Sequence, residues 1–117
     1  MSLDDFTGTK DIILQANSSA VPYTFTFGVC SSATANDGFL PYGTNISSVA
    51  MTAAKDDGTS ATSDLIDSSS VASNVVTVAL NYPSTNGVGV YYLTFKLTLD
   101  SGTILEADFK RVYAESR

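Results

Sequence analysis

The sequence contains no histidine and a single cysteine, Cys30. Without histidine, neither a Ser-His-Asp or Cys-His nucleophile system nor a histidine-containing zinc site can be built from this chain. One cysteine excludes an intramolecular disulfide and a cysteine-clustered zinc or iron–sulfur centre. Because Cys30 ends an alternating apolar segment with no cationic side chain beside it in sequence, we interpret it as a structural thiol.

Positive charge is also scarce. The 117 residues include 6 Lys and Arg against 12 Asp and Glu, which gives a formal net charge of −6. Nucleic-acid binding requires Lys and Arg that displace counterions from phosphates, and binding to an anionic membrane requires a basic surface. We therefore expect neither partner, whereas a cationic patch on a protein partner is compatible with this balance.

Long apolar segments are absent too, since no run approaches the roughly 18 residues of a transmembrane helix. The first residues have neither the basic nor the apolar region of a signal peptide. Together with the unpaired Cys30, this predicts folding in a reducing cytoplasm.

What the sequence has instead is strict alternation of apolar and polar residues. Residues 23–29 alternate in this way, and residues 91–100 place Tyr91, Leu93 and Phe95 on the side opposite to Tyr92. A period of two predicts half-buried β-strands, and no long segment has helical periodicity.

The spacing of these segments predicts the fold class. About seven strands separated by turn formers are typical of an all-β, immunoglobulin-like antiparallel β-sandwich. We predict a flexible N-terminal arm at 1–10 and a single immunoglobulin-like domain at 11–117. The predicted strands are 11–16, 23–29, 46–54, 65–70, 74–80, 91–100 and 103–113.

One detail of the penultimate strand supports this fold. Gly89, Tyr91 and Leu93 follow the spacing of a tyrosine corner, in which a Tyr near the start of that strand bonds to the backbone upstream. Leu93 stands where an antibody domain has its second cysteine. We therefore expect packing alone to hold the two sheets together.

Acidic residues are the remaining candidates for a metal site. Asp56, Asp57, Asp64 and Asp67 cluster in and after one loop. Calcium takes six to eight oxygen ligands, but the segment lacks the ligand spacing and bidentate Glu of an EF-hand loop. Solvated loop carboxylates are the favoured interpretation, and a calcium-dependent or carbohydrate-binding sandwich is the alternative.

A catalytic pair of carboxylates would need a cleft and a perturbed pKa. Glu106 and Asp108 alternate on the last strand and are the pair that a buried pocket would make interesting. The sequence gives no other support for an enzyme, so we predict no catalytic residue, no cofactor and no metal.

Tyrosines in loops or on the outer parity are candidates for protein contacts, because Tyr combines apolar area with a hydroxyl group. The predicted interaction surface consists of the loop 31–45 and the side chains of Tyr42, Tyr82, Tyr92, Thr94 and Lys96.

Two passages resemble a known group of proteins. Tyr42–Ala54 has the pattern G-x-x-I-x-S followed by an alternating strand, and Gly87–Val112 has G-x-Y-x-L followed by a hairpin glycine and a closing strand. Leu99 stands where that second pattern more often has Thr. In this order and spacing they resemble small immunoglobulin-like structural proteins of tailed bacteriophages and prophages, of the tail or fibre adaptor type.

This resemblance implies a structural role without catalysis. The partners would be neighbouring virion subunits, and a homo-oligomer is compatible with the same role. The protein would be found in the bacterial host cytoplasm during assembly and afterwards in the virion.

Overall fold

The computed structural model describes residues 6–8, 12–16 and 18–115, and only the backbone of residues 6–8 and 109–111. Within this range the chain forms eight strands and one helix of four residues. The elements are β1 (Phe6–Gly8), β2 (Ile12–Leu14), β3 (Val21–Phe27), β4 (Ile46–Lys55), α1 (Thr62–Leu65), β5 (Ile66–Ala72), β6 (Val75–Leu80), β7 (Gly89–Leu99) and β8 (Ile104–Ala114).

The strands form two four-stranded sheets. The first sheet has the order β1-β3-β6-β5, and the second has the order β2-β8-β7-β4. If β2 is left out of the count, the strands of the first sheet are the first, second, fifth and fourth along the chain. This is the strand distribution of an immunoglobulin-like sandwich. The predicted fold class is therefore confirmed, with eight strands instead of about seven.

Three local features differ from the sequence prediction. Phe6–Gly8, inside the predicted arm 1–10, form β1 antiparallel to β3, and the other residues of that arm lie outside the described residues. β2 pairs in parallel with β8, so the second sheet is mixed. This pairing joins the two ends of the chain, and local sequence patterns cannot reveal such a distant partner. α1 precedes the predicted strand at 65–70.

The core lies between the sheets and is built from the buried parity of each strand. On β7, Tyr91, Leu93, Phe95, Leu97 and Leu99 are buried, as their alternation predicts. Opposite them, Phe25 and Phe27 of β3 contact Phe95 with ring centroids 4.9 and 5.5 Å away. Both contacts are edge-on, the arrangement that aromatic quadrupoles favour. Packing, without a disulfide, thus joins the two sheets.

The segment after β3 folds back into the core. Leu40 pairs with Val29 through an isolated parallel bridge, and its backbone N–H donates to the carbonyl oxygen of Gly28. Phe39 and Leu40 are buried, and the Phe39 ring lies 5.5 Å from that of Phe27. Only part of the predicted contact loop 31–45 is therefore surface.

A β-bulge at the start of β4 sets which of its side chains face outward. The register shifts between Ile46 and Ser48, so Ile46 is buried although it has the parity of exposed Ser48. After the bulge, the even-numbered residues up to Ala54 point to solvent.

Among the residues that the structure describes, α1 is the helix, and with four residues it is too short to cross a membrane.

Candidate interaction surface

The solvent side of the second sheet, which we call the outer face, is built from cross-strand rows. At one end, Ile13 of β2, Tyr113 of β8 and Val90 of β7 are register partners. We call these three residues the apolar row. Ile13 is 51% exposed, whereas Tyr113 and Val90 are half-buried. An apolar row on a solvent face is unusual, since sheets with one wet face normally place polar residues there.

Further rows follow along the same face. Thr94 of β7 lies between Thr52 and Asp108, and its hydroxyl donates a 2.9 Å hydrogen bond to the Asp108 carboxylate. Next, Lys96 pairs with Glu106, two opposite charges directly across the strands. The last row contains Thr98 and Ile104, and Ile104 is 55% exposed.

The β4 side of the outer face has small side chains. Ser48, Ala50 and Thr52 are exposed and pair with Thr98, Lys96 and Thr94, and Ala54 pairs with Tyr92. Short neighbours leave the β7 side chains accessible from the side. Tyr92 and Lys96 therefore lie on an open, flat part of the sheet.

A depression of about 430 Å³ adjoins Tyr92. It is lined by Asp56, Val90, Tyr91, Tyr92 and Asp108, and we call it the Tyr92 depression. Asp56 is held here because its backbone N–H donates to the carbonyl oxygen of Val90, which extends the β4–β7 ladder by one residue. Next to the depression, the β7–β8 register shifts between Tyr91 and Leu93, and such bulges are common beside functional surfaces.

The Tyr91 side chain fixes the loop before β7. Its hydroxyl donates a 2.6 Å hydrogen bond to the carbonyl oxygen of Gly87, four residues upstream. The predicted tyrosine corner is therefore present, with Gly87 as the acceptor. Burial raises the pKa of Tyr91 to about 12, and the negative charge of Asp64 acts in the same direction.

Asp64 anchors the same loop from the side of α1. Its carboxylate accepts hydrogen bonds from the backbone N–H groups of Thr85 and Asn86 and from the Asn86 side-chain amide. Burial by itself would raise the pKa of Asp64, but these bonds outweigh it and the pKa is lowered. Lys55 adds a third link, because its Nζ donates to the carbonyl oxygen of Asn86.

The predicted interaction residues fall into separate places. Tyr92, Thr94 and Lys96 share the outer face, as the parity predicts. Tyr42 is 57% exposed but lies near Asn45, whose carbonyl oxygen accepts from Asp100 at the other end of β7. Asp100 follows Tyr92 by eight positions, which corresponds to about 26 Å of extended chain. Tyr42 therefore lies far from Tyr92.

Tyr82 is only half exposed. Its side chain packs against the core, and its backbone N–H donates to the carbonyl oxygen of Ser18. We expected it to be a contact side chain, and the structure instead uses part of its surface for internal packing.

The predicted contact loop 31–45 also has a buried part and an exposed part. Gly38, Phe39 and Leu40 are buried, whereas the tip around Ser31–Asp37 is largely exposed. Asp37 closes this tip by accepting from the backbone N–H and the hydroxyl of Ser31, and these bonds lower the pKa of Asp37.

The four aspartates considered for calcium lie in different surroundings. Asp64 accepts from the backbone N–H groups of Thr85 and Asn86, and Asp57 accepts from the backbone N–H of Thr59. Asp56 lines the Tyr92 depression, and Asp67 is exposed on β5. In the described part of the chain, no three carboxylate, thiol or imidazole groups are placed to hold a metal ion. Glu106 is exposed and does not line the depression that Asp108 lines.

Cys30 is buried, with 7% of its surface exposed, and its thiol donates a 3.4 Å hydrogen bond to the carbonyl oxygen of Gly38. This environment is that of a packed structural thiol.

The solvent side of the first sheet differs in composition from the outer face, which belongs to the second sheet. Its described side chains include Thr24 and Thr26 of β3 and Thr77 and Ala79 of β6. Four large apolar side chains are exposed among the described residues: Ile13, Tyr42, Val88 and Ile104. Two of these, Ile13 and Ile104, lie on the outer face, and Val88 directly precedes β7.

Sequence reasoning found the central strand of this surface but not its neighbours. Asp56, Val90 and Asp108 were not predicted as part of it, and 52 positions separate Asp56 from Asp108. Only the register of β4, β7 and β8 brings them together. No protein-family model and no curated protein matches this chain.

Proposed function

We propose that this protein is a non-enzymatic interaction domain that binds a protein partner through the outer face. The supporting observation is the apolar row of Ile13, Tyr113 and Val90 beside Tyr92 on the solvent side of a sheet. Exposed apolar patches with polar surroundings mark protein contacts, and Tyr is enriched among residues that contribute most to binding.

The partner we propose is a neighbouring subunit of a tailed-phage or prophage virion, with the protein acting as a tail or head-tail component. Support for this part comes from the resemblance of Tyr42–Ala54 and Gly87–Val112 to structural phage proteins. A rigid sandwich with one contact face suits such a role, because assembly then requires little ordering on binding.

A photo-crosslinking experiment tests the proposal. A benzoylphenylalanine side chain is introduced at Tyr92 or Lys96 on the outer face, and at Thr77 on the first sheet as a matched control. The captured protein is identified by mass spectrometry, purified and titrated with the unmodified chain. We expect one partner from the outer-face positions, and an affinity at least about tenfold weaker for Tyr92→Ser.

Capture from Thr77 with equal yield, or no binding by the purified partner, would contradict the outer-face proposal. The virion part has its own criterion: the partner should be encoded beside head or tail genes and should occur in purified particles. A partner of another kind would leave the interaction surface in place and overturn the phage assignment.

A second candidate is carbohydrate binding at the Tyr92 depression. Its volume of about 430 Å³ lies within the range of small-ligand sites. A Tyr ring with two carboxylates offers a stacking surface and hydrogen-bond acceptors for hydroxyl groups. Binding on a glycan array that Tyr92→Ser abolishes would favour this function over the virion role.

A further inference from the structure

We propose that Asn86 is a deamidation site, and that hydrogen bonds in the loop before β7, above all those to Asp64, hold the reaction back in the folded protein. The inference is independent of the proposed docking at the outer face. Asn86 is the one asparagine of the chain that glycine follows. Asparagine before glycine is the dipeptide most prone to deamidation, because glycine has no side chain that hinders the approach of its backbone nitrogen.

The reaction is an intramolecular cyclisation. The backbone nitrogen of Gly87 loses its proton and attacks the side-chain carbonyl carbon of Asn86. A new C–N bond forms, and the side-chain nitrogen leaves as ammonia. Water then opens the cyclic imide at one of its two carbonyl groups, which gives aspartate or isoaspartate. This chain and water therefore supply every atom of the reaction.

Asp64 holds the group that is attacked. Its Oδ2 accepts from the side-chain amide of Asn86 at 3.0 Å and from the backbone N–H of the same residue at 2.9 Å. Its Oδ1 accepts from the backbone N–H of Thr85 at 3.1 Å. Bonds to a charged acceptor are the stronger kind. A rotation of the Asn86 amide towards Gly87 would therefore cost the bond between this amide and Asp64.

The attacking nitrogen is restrained as well. The N–H of Gly87 donates to the carbonyl oxygen of Pro83 at 2.7 Å, so its proton and its position are both fixed. The carbonyl oxygen of Asn86 accepts from Lys55 Nζ at 3.0 Å. Both polar groups of the peptide bond between Asn86 and Gly87 are thus engaged. Beyond it, the Gly87 carbonyl accepts from the Tyr91 hydroxyl, so cyclisation requires the loop to open.

Deamidation would release this loop. Aspartate at position 86 places a second carboxylate against Asp64 where an amide donor was, and two like charges at this distance repel. Isoaspartate in addition adds one carbon to the main chain before Gly87, which moves the Gly87 carbonyl relative to the Tyr91 hydroxyl. The modified protein would therefore lose the anchor of the loop and strain the tyrosine corner.

The rate at position 86 is measured by peptide mapping with mass spectrometry, which resolves asparagine, aspartate and isoaspartate. The unmodified chain is incubated at neutral pH, folded in buffer and unfolded in guanidinium chloride. Because the reaction requires the loop to open, we expect Asn86 to react at least about tenfold more slowly in the folded chain. Equal rates in the two conditions would overturn the proposal.

The variant Asp64→Asn tests the carboxylate itself. It is nearly isosteric, but it leaves one acceptor oxygen for the three donors that Asp64 binds. We expect Asn86 to react at least about fivefold faster in this folded variant than in the unmodified protein. Asp67→Asn makes the same charge change at an exposed position of β5 and should leave the rate unchanged. An unchanged rate in Asp64→Asn, or an equal rise in Asp67→Asn, would contradict the role of Asp64.

Circular dichroism establishes that each variant is folded before the rates are compared. If Asp64→Asn does not fold, Lys55→Met tests the same loop. This change removes the bond to the Asn86 carbonyl and keeps an apolar stem against Gly89. We expect a rise of about twofold or more in Lys55→Met and none in Lys96→Met, its control on the outer face. The same rate in Lys55→Met as in the unmodified protein would overturn the proposal.

Discussion

The hydroxyl of Tyr91 donates to the carbonyl oxygen of Gly87 at 2.6 Å, and this bond ties the loop before β7 to the strand that carries the outer face. Tyr91 itself is completely buried, with neighbours Val90 and Tyr92 on the opposite side of the sheet. The corner thus positions the residues that we propose to bind the partner.

Removal of this hydroxyl should be measurable as a loss of stability. Tyr91→Phe keeps the ring and leaves the Gly87 carbonyl without its partner, so we expect the free energy of unfolding to fall by about 1–2 kcal/mol. Urea denaturation measures the change. Tyr92→Phe is the matched control, because no hydrogen bond of the Tyr92 hydroxyl occurs in the described chain, and an equal loss there would contradict the corner's role.

Tyr91 should also make the protein sensitive to alkali. Burial raises the pKa of Tyr91 from its ordinary value of 10.0 to about 12, so the folded state holds this proton more tightly than the unfolded chain. The associated stabilisation is fully present below pH 10 and is lost as the pH rises towards 12. Stability measured across this window should fall less steeply in Tyr91→Phe. An identical slope in both proteins would show that Tyr91 does not cause the loss.

The Asp64 carboxylate should make the free energy of unfolding depend on pH in the opposite direction, at acidic pH. Although burial opposes it, the hydrogen bonds from Asn86 and Thr85 hold the pKa of Asp64 below its ordinary value of 3.8, so the folded state binds fewer protons than the unfolded chain in that range. Its stabilisation is present above that value and is lost as the pH falls through the folded pKa. We expect Asp64→Asn to be less stable than the unmodified protein at pH 7 and to lose less on acidification. Asp67→Asn is the control, because Asp67 is exposed and its side chain makes no hydrogen bond to the residues that the structure describes.

Two glycines should respond differently to substitution. A Cβ at Gly38 would lie 2.5 Å from the Cys30 nitrogen and the Val29 carbonyl carbon, both backbone atoms that cannot move aside. Gly43 has open space around it but a φ of +75°. Alanine should therefore destabilise at both positions, by about 2 kcal/mol or more at Gly38 and about 1 kcal/mol at Gly43.

Asparagine separates the two causes, because it tolerates positive φ but still carries a Cβ. Thermal unfolding should show Gly43→Asn close to the unmodified protein and Gly38→Asn at least as destabilised as Gly38→Ala. Recovery at Gly38 with Asn would mean that space is not what selects glycine there.

Local pattern predicted much of this architecture. The alternation in 91–100 assigned every side chain of that stretch to the correct face, because a period of two leaves no other arrangement for a strand with one dry side. The tyrosine corner was predicted from the spacing of Gly89, Tyr91 and Leu93, although the acceptor is Gly87.

Features that depend on distant pairing could not be predicted in the same way. Phe6–Gly8 form a strand because β3 offers them an edge, and β2 pairs with β8 across almost the whole chain. The Tyr92 depression arises from the register that places Asp56 beside Val90 and Asp108 beside Thr94. Because these neighbours are far apart in sequence, the sequence prediction of this candidate surface covers only one strand, at Tyr92, Thr94 and Lys96.

The most direct test of the central claim is a methyl NMR spectrum of the chain bound to the partner captured at Tyr92. If the outer face binds, the methyl signals of Ile13, Val90 and Ile104 should shift or broaden on complex formation, while those of Val75 and Ala79 on the first sheet stay in place. Perturbation confined to Val75 and Ala79 would contradict the account.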